Sequence, residues 1–457
     1  MKLRNHVAIA VALFTAAAVG LGLYQPLFGQ APNAKGGGKG GPGGFGKGAP
    51  PAPLPTVPTA VTLPALSEKI TGPGAMFDTG KAHWTNRGPE VYKYVVEEYF
   101  VTGTANGKPY KTRLAFRRPA DNKKFSGLVM TESMHFSGNA HGFGYNSIYI
   151  MTSGHIAAEI VISSLNLFTD FNKERYGSLQ ATPDQGNEIL AQVGSLIRSA
   201  QGPLKGLTVR KEILWGTSAS SAVLSAYLPA HMVYRTPEMK NVYDGFLATS
   251  TGGNLRNVDV PIIQVPTQNE YRNGATMTTR ADSDTPGEQY RMYEWAGMGH
   301  LDSRFDVRLE GACANPLSPI PFEALMSTSL DYMFKWIDKG QAPPKAQRIE
   351  MMGNAMVLDD NGNPKGGIRS PYLDVPLAKF TAQSPAAAGK TGDAPLLCGL
   401  SNYVTPIPAD KLKAMYKNKK GYVKKFEARL KEIEKSGWAL PLYHDLVVQD
   451  AKNAMAF

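Results

Sequence analysis

One stretch constrains this chain more than any other: Ile213-Leu214-Trp215-Gly216-Thr217-Ser218-Ala219-Ser220-Ser221-Ala222-Val223-Leu224. It reads as a buried strand over Leu207–Leu214 that turns hard into a helix over Ala219–Leu228. A serine, Ser218, stands at the turn, with Gly216 and Ser220 two places away on either side. This is the G-x-S-x-G elbow pattern with Ser in its last place. The elbow residue takes a strained backbone conformation that lifts its Oγ clear of the sheet edge. The residues two before and two after it are then forced together, so both must be small. The same serine also fits a plain helix N-cap, whose oxygen accepts from first-turn N–H groups.

The chain has 457 residues and a formal charge of +11. Much of the excess lies in the N-terminal low-complexity stretch and in Lys411–Lys435. No nucleic-acid motif accompanies either, so both read as solvated surface and no nucleic-acid partner is expected. Lys2, Arg4 and His6 precede an apolar run over Val7–Leu23, which has the form of a secretory leader. Residues 1–31 are therefore read as a signal peptide or an N-terminal anchor. Uncleaved, residues 7–23 would tether the chain to a membrane, although a span needs about 20 residues. The Gly/Lys/Pro-rich region that follows reads as a disordered linker over residues 32–88. Residues 89–457 then form the folded domain. Cys313 and Cys398 are the only cysteines. In an exported chain they suggest one disulfide; two buried thiols are the alternative.

The folded part opens with strands over Tyr92–Thr102 and Tyr110–Arg117, joined at Asn106-Gly107 as a hairpin. Further strands read over Gly127–Thr131, Ala157–Ile162, Tyr243–Ala248, Pro261–Val265 and Gln289–Trp295. Helical spacing marks Ser147–Ser153, Glu188–Ser199, Phe322–Asp338 and a basic segment over Asp410–Ser436. The alternation predicts an α/β domain with a mostly parallel central sheet and helices on both faces. Insertions over residues 168–186 and 229–241 interrupt the rhythm and are expected to cap the site, with C-terminal additions beyond.

In hydrolases of this architecture a serine, an acid and a histidine follow one another along the chain. Ser218, Glu270 and His300 stand in that order, each past the C-terminal end of a predicted strand. A serine needs a base to take its proton, and the base needs a carboxylate to fix its tautomer. Asp282 and Asp284 are rivals to Glu270, and Asp302 either orients the histidine loop or caps it. Two amides must receive the oxyanion. Ala219 is one candidate, and the loop from Ser133 to His135, centred on Met134, supplies the other. His135, His141 and His155 match no standard metal-ligand spacing and read as surface or loop residues. No metal or cofactor is expected.

Several segments resemble a family of large bacterial α/β-hydrolase-domain proteins. They are Val96–Ala105, Thr112–Asp121 ahead of Phe125-Ser126-Gly127, Arg291–Asp302 with its Gly297-Met298-Gly299-His300, Gly366–Pro376, Cys398-Gly399-Leu400 and the helix holding Tyr422-Val423. The resemblance runs from about Pro89 to the C-terminus. It implies an α/β-hydrolase fold and ester hydrolysis. The chain departs from the family's usual pattern at Ala219 and Ser220, where Gln and Gly are usual. It departs again at Gln268, where an acid is usual, and at Ser133 and His135, where Trp and Asn are usual. The combined expectation is an exported, periplasmic or extracellular serine hydrolase that cleaves small-molecule or polymeric carboxylic esters. The alternative is a non-catalytic binding protein of the same fold, tethered at the cell envelope. The oligomeric state is left open.

Overall fold

A computed structural model describes residues 53–271, 278–304 and 306–455. The leader and the first part of the tether lie outside those residues. The central sheet has nine strands. In chain order they are β2 (Ala65–Leu66), β3 (Tyr94–Ala105), β4 (Lys108–Pro119), β5 (Leu128–Ser133), β6 (Ile156–Ile160), β7 (Lys211–Thr217), β9 (Gly245–Thr249), β10 (Ile262–Val265) and β11 (Tyr290–Met292). Two short strands outside it, β1 (Thr59–Ala60) and β8 (Tyr234–Arg235), pair in parallel with each other. The spatial order is β11-β10-β9-β7-β5-β6-β4-β3-β2. Strands β6, β5, β7, β9, β10 and β11 run parallel, and β2, β3 and β4 close one edge in antiparallel pairing.

Side chains alternate across the pleat as a strand requires. In β7, Ile213 and Trp215 enter one apolar layer and Leu214 the other. The first layer includes helix α1 (Ser147–Ser153) and the long helix Phe322–Lys339, with Leu330, Met333 and Phe334 buried. The second is formed by α2 (Gly186–Arg198) and α3 (Ala219–His231), which bury Ile189, Leu190, Val193, Leu224 and Leu228. Helices therefore cover both faces, as the alternation predicts.

Three expectations need correction. Residues 53–88 are not all linker. β1 and β2 lie within them, and the Phe77–Asp78 segment is tied to the sheet by buried arginines. Arg113 donates to Glu98, to Glu159 at 2.6 Å and to the Phe77 carbonyl at 2.5 Å, and Arg117 pairs with Asp78. Burial makes such charges costly unless each is paired, so removing one partner is far more damaging than its surface equivalent. The segment Asp410–Ser436 is two helices, Ala409–Tyr416 and Lys419–Lys435, and not one. The chain turns at Lys417, with φ of 66°, and the Asn418 side chain caps the second helix by accepting from the Gly421 amide at 3.0 Å. Finally, residues 229–241 leave α3 at the end far from Ser218. Thirteen residues of helix span about 20 Å, so this insertion does not cap the site. The other insertion packs Phe168, Tyr176 and Leu179 against Met134.

Glu212, on β7, is fully buried and accepts from the Thr131 hydroxyl at 2.8 Å. Burial, only partly opposed by Arg198, pushes its carboxyl up from 4.5 to about 8. The folded value lies above the unfolded one. Its contribution to stability is therefore complete below about pH 4.5 and is lost as pH rises through about 8. Glu212→Gln should abolish this fall. Denaturant unfolding at pH 5 and pH 8.5 should show the wild type losing on the order of a few kcal/mol more than the variant. Equal losses would contradict the assignment.

Candidate active site

Ser218 sits between β7 and α3 at φ 52°, ψ −117°, a region that costs a non-glycine residue on the order of 1–3 kcal/mol. The surrounding backbone enforces it. A Cβ on Gly216 would stand 2.5 Å from the Ser220 carbonyl oxygen, so only glycine fits. The Ser218 amide donates to the Thr249 carbonyl at 3.1 Å. Ser220, in the place of the pattern's second glycine, ties the turn together. Its Oγ accepts from the Thr217 amide at 2.8 Å and donates to the Thr217 carbonyl at 2.9 Å. Ser221 Oγ bonds the Gly216 and Thr249 carbonyls at 2.7 and 2.9 Å.

The structure brings Ser218, His300 and Glu270 together. His300 Nε2 lies 2.6 Å from Ser218 Oγ, and its Nδ1 lies 2.6 Å from Glu270 Oε1. The other oxygen of Glu270 accepts from the Thr267 amide at 2.6 Å and the Thr267 hydroxyl at 2.8 Å, which holds the carboxylate against the ring's far nitrogen. The His300 side chain is 16% exposed and that of Glu270 8%, so the serine end of the chain of contacts is the open end. The rivals are engaged elsewhere: Asp282 accepts from the Met292 amide at 3.0 Å and pairs with Arg348, and Asp284 pairs with Arg291. Asp302 is a cap. It accepts from the amides of Arg304 at 2.9 Å and Phe322 at 3.1 Å.

The amide of Ala219 opens α3 directly after the serine, as expected of an oxyanion donor. Met134 does not serve as the second. Its amide donates to the Ile160 carbonyl at 2.8 Å, because residue 134 still follows the edge of β6. The next amide, of His135, has no protein acceptor among the described residues. His135 and His155 lie in loops, as one of the two readings had it, but not at the surface. His135 and His155 are buried, and His155 is a core residue between Ser126 Oγ at 2.7 Å and Tyr149 OH at 3.3 Å. Among the described residues no three His, Cys, Asp or Glu side chains form a metal-binding group.

The profile of the alpha/beta hydrolase domain matches residues 70–449. The chain belongs to that family. The match begins ahead of residue 89 and takes in the Phe77–Asp78 anchor. No curated protein sequence matches the chain. Solved structures similar to part of the chain include esterase Est22, at 13% identity and a TM-score of 0.28, over 40% of this chain and 67% of that one. A cold-adapted esterase from an Arctic intertidal metagenomic library is 12% identical over 47% of this chain and 87% of its own, with a TM-score of 0.24. A hyperthermophilic esterase from the archaeon Pyrobaculum calidifontis is 11% identical over 38% of this chain and 65% of its own, with a TM-score of 0.25.

Both ends of this hydrolase domain hold the site. On one side, Thr79 Oγ1 donates to the Gly138 carbonyl at 2.6 Å and accepts from the Ala140 amide at 3.0 Å, bracing the glycine-rich loop after β5. On the other, the Leu400 carbonyl accepts from the His300 amide at 2.9 Å. That segment is fixed by a disulfide between Cys313 and Cys398, 85 residues apart.

Gly216→Ala should lower stability by more than about 2 kcal/mol, the size expected when backbone is forced apart in a core; an unchanged denaturation midpoint would contradict the packing described. Replacing both cysteines by serine should cost about 4–5 kcal/mol by loop closure alone. Thermal unfolding with and without reductant checks this, the wild type falling to the variant's midpoint only when reduced.

Proposed function

We propose that the protein hydrolyses carboxylic esters through an acyl-enzyme, with Ser218 as nucleophile, His300 as base and Glu270 as its carboxylate partner. The single observation that carries this reading is the unbroken contact from Ser218 Oγ through both ring nitrogens of His300 to Glu270. Ser218 Oγ attacks the ester carbonyl carbon and its proton passes to His300 Nε2. The tetrahedral intermediate collapses, the C–O bond to the alcohol breaks, and His300 returns the proton to the departing oxygen. Water then repeats the sequence on the acyl-serine and releases the acid. Glu270 holds the Nδ1–H tautomer and offsets the imidazolium charge. The oxyanion is received by the amides of Ala219 and, in place of Met134, His135.

We also infer that the chain is exported. The apolar leader over Val7–Leu23 and the Cys313–Cys398 disulfide support this. Among the described residues no helix is long and apolar enough to cross a membrane.

Turnover of p-nitrophenyl butyrate tests the reading. Ser218→Ala should reduce kcat by on the order of 10⁶-fold, and Glu270→Gln by about 10⁴-fold through the wrong tautomer. A Ser218→Ala protein as fast as wild type would refute it.

A further inference from the structure

His135 carries a second donor that nothing in the protein uses. The residue is 8% exposed, and its Nε2 has no hydrogen-bond partner. The role of each ring nitrogen follows from the loop. The Ser137 amide donates to Nδ1 at 3.2 Å, and the Ser137 hydroxyl lies 2.7 Å from the same nitrogen. Asn139 Nδ2 donates to that hydroxyl at 3.1 Å, which leaves the hydroxyl proton for Nδ1. Nδ1 is therefore an acceptor, and the ring proton sits on Nε2. A buried N–H without an acceptor forfeits its desolvation energy, so such groups are rare and point to a missing partner.

The position of His135 indicates that partner. β5 and β7 are neighbours, with Glu132 paired to Trp215. Counting on from this pair, Met134 comes level with Thr217 and His135 with Ser218. Two more buried polar atoms without a partner lie on these strand ends, Ser133 Oγ and Thr217 Oγ1. His135 faces His141, whose ring packs edge-on at 4.9 Å, and Phe136 at 4.5 Å. Burial first, then His300 and Arg308, push its imidazole down to about 4. It is therefore a neutral donor at neutral pH and does not oppose the imidazolium that forms on His300.

We propose that the His135 imidazole is a catalytic residue, its Nε2–H donating to the oxyanion that forms when Ser218 attacks an ester carbonyl. This rests on the hydrolase reading and deepens it. The Met134 amide is already bonded to Ile160, so the loop after β5 offers the His135 amide and, beside it, this side-chain donor. A neutral N–H aimed at developing charge stabilises the transition state without binding the ground-state ester tightly.

The test is steady-state hydrolysis of a p-nitrophenyl ester series by wild type, His135→Phe and His135→Gln. His135→Phe keeps a ring but no donor and should lower kcat by about 10²–10³-fold with KM little changed. His135→Gln keeps a neutral donor and should recover part of that loss. An unchanged kcat in His135→Phe would overturn the proposal, as would a loss carried by KM alone. The wild-type protein gives a readout independent of variants. In its trifluoromethyl ketone adduct the His135 Nε2–H resonance should move downfield, and an unmoved resonance would overturn the proposal. If turnover by the wild type does not depend on Ser218, the hydrolase reading itself fails. Ser218-dependent turnover with an indifferent His135 overturns this inference alone.

Discussion

The site depends on one backbone constraint, the positive φ of Ser218. Strain of this kind persists only where surrounding structure over-determines it. Here β7 and α3 meet so closely that Gly216 touches the Ser220 backbone, and Ser220, Ser221 and Thr249 bond the turn from every side. β7 is the fourth of the nine strands, beside the central β5. Its neighbours on one side carry Ser250, Glu270 and His300 past their C-terminal ends, and its neighbour on the other carries His135. The parallel arrangement makes these loops converge on a single rim.

The rim is held by the two ends of the domain. Buried Arg113, Glu98, Glu159 and Arg117, with the half-buried Asp78, form an ionic network that pins the Phe77–Asp78 segment, and Thr79 passes that rigidity to the loop holding Gly138. At the other end, Cys398 fixes the segment whose Leu400 carbonyl supports His300, and Ser250 Oγ donates to the His300 carbonyl at 2.8 Å. The nucleophile belongs to the centre of the sheet, whereas its oxyanion side is braced from the N-terminal segment and its base from the C-terminal one. Loss of either brace would move one reacting group relative to the others, and catalysis is sensitive to small displacements.

Much of this is legible in the sequence because it is local or periodic. The strand-turn-helix around Ser218 is written in small residues and apolar runs. The alternation of strands and helices dictates a mostly parallel sheet, and so places residues after strand ends on one rim. What is not legible depends on distant partners. Within residues 53–88, β1 pairs with β8, β2 with β3, and Phe77 and Asp78 are held by Arg113 and Arg117, partners that sequence spacing alone does not connect. The Met134 amide is spent on Ile160, a contact between strands. Residues 229–241 look like a cap until the length of α3 is known. The break at Lys417-Asn418 is a local signal, an asparagine cap three residues before Gly421, but the strong basic helical pattern on either side hides it.

The most direct measurement is labelling of the purified protein with a fluorophosphonate, with the modified peptide located by mass spectrometry. Stoichiometric label on Ser218, lost in His300→Ala, is the result expected of a serine activated by its histidine. A folded protein that takes no label, or takes it at another residue, would contradict the account and leave the Ser218–His300–Glu270 contact without a catalytic role.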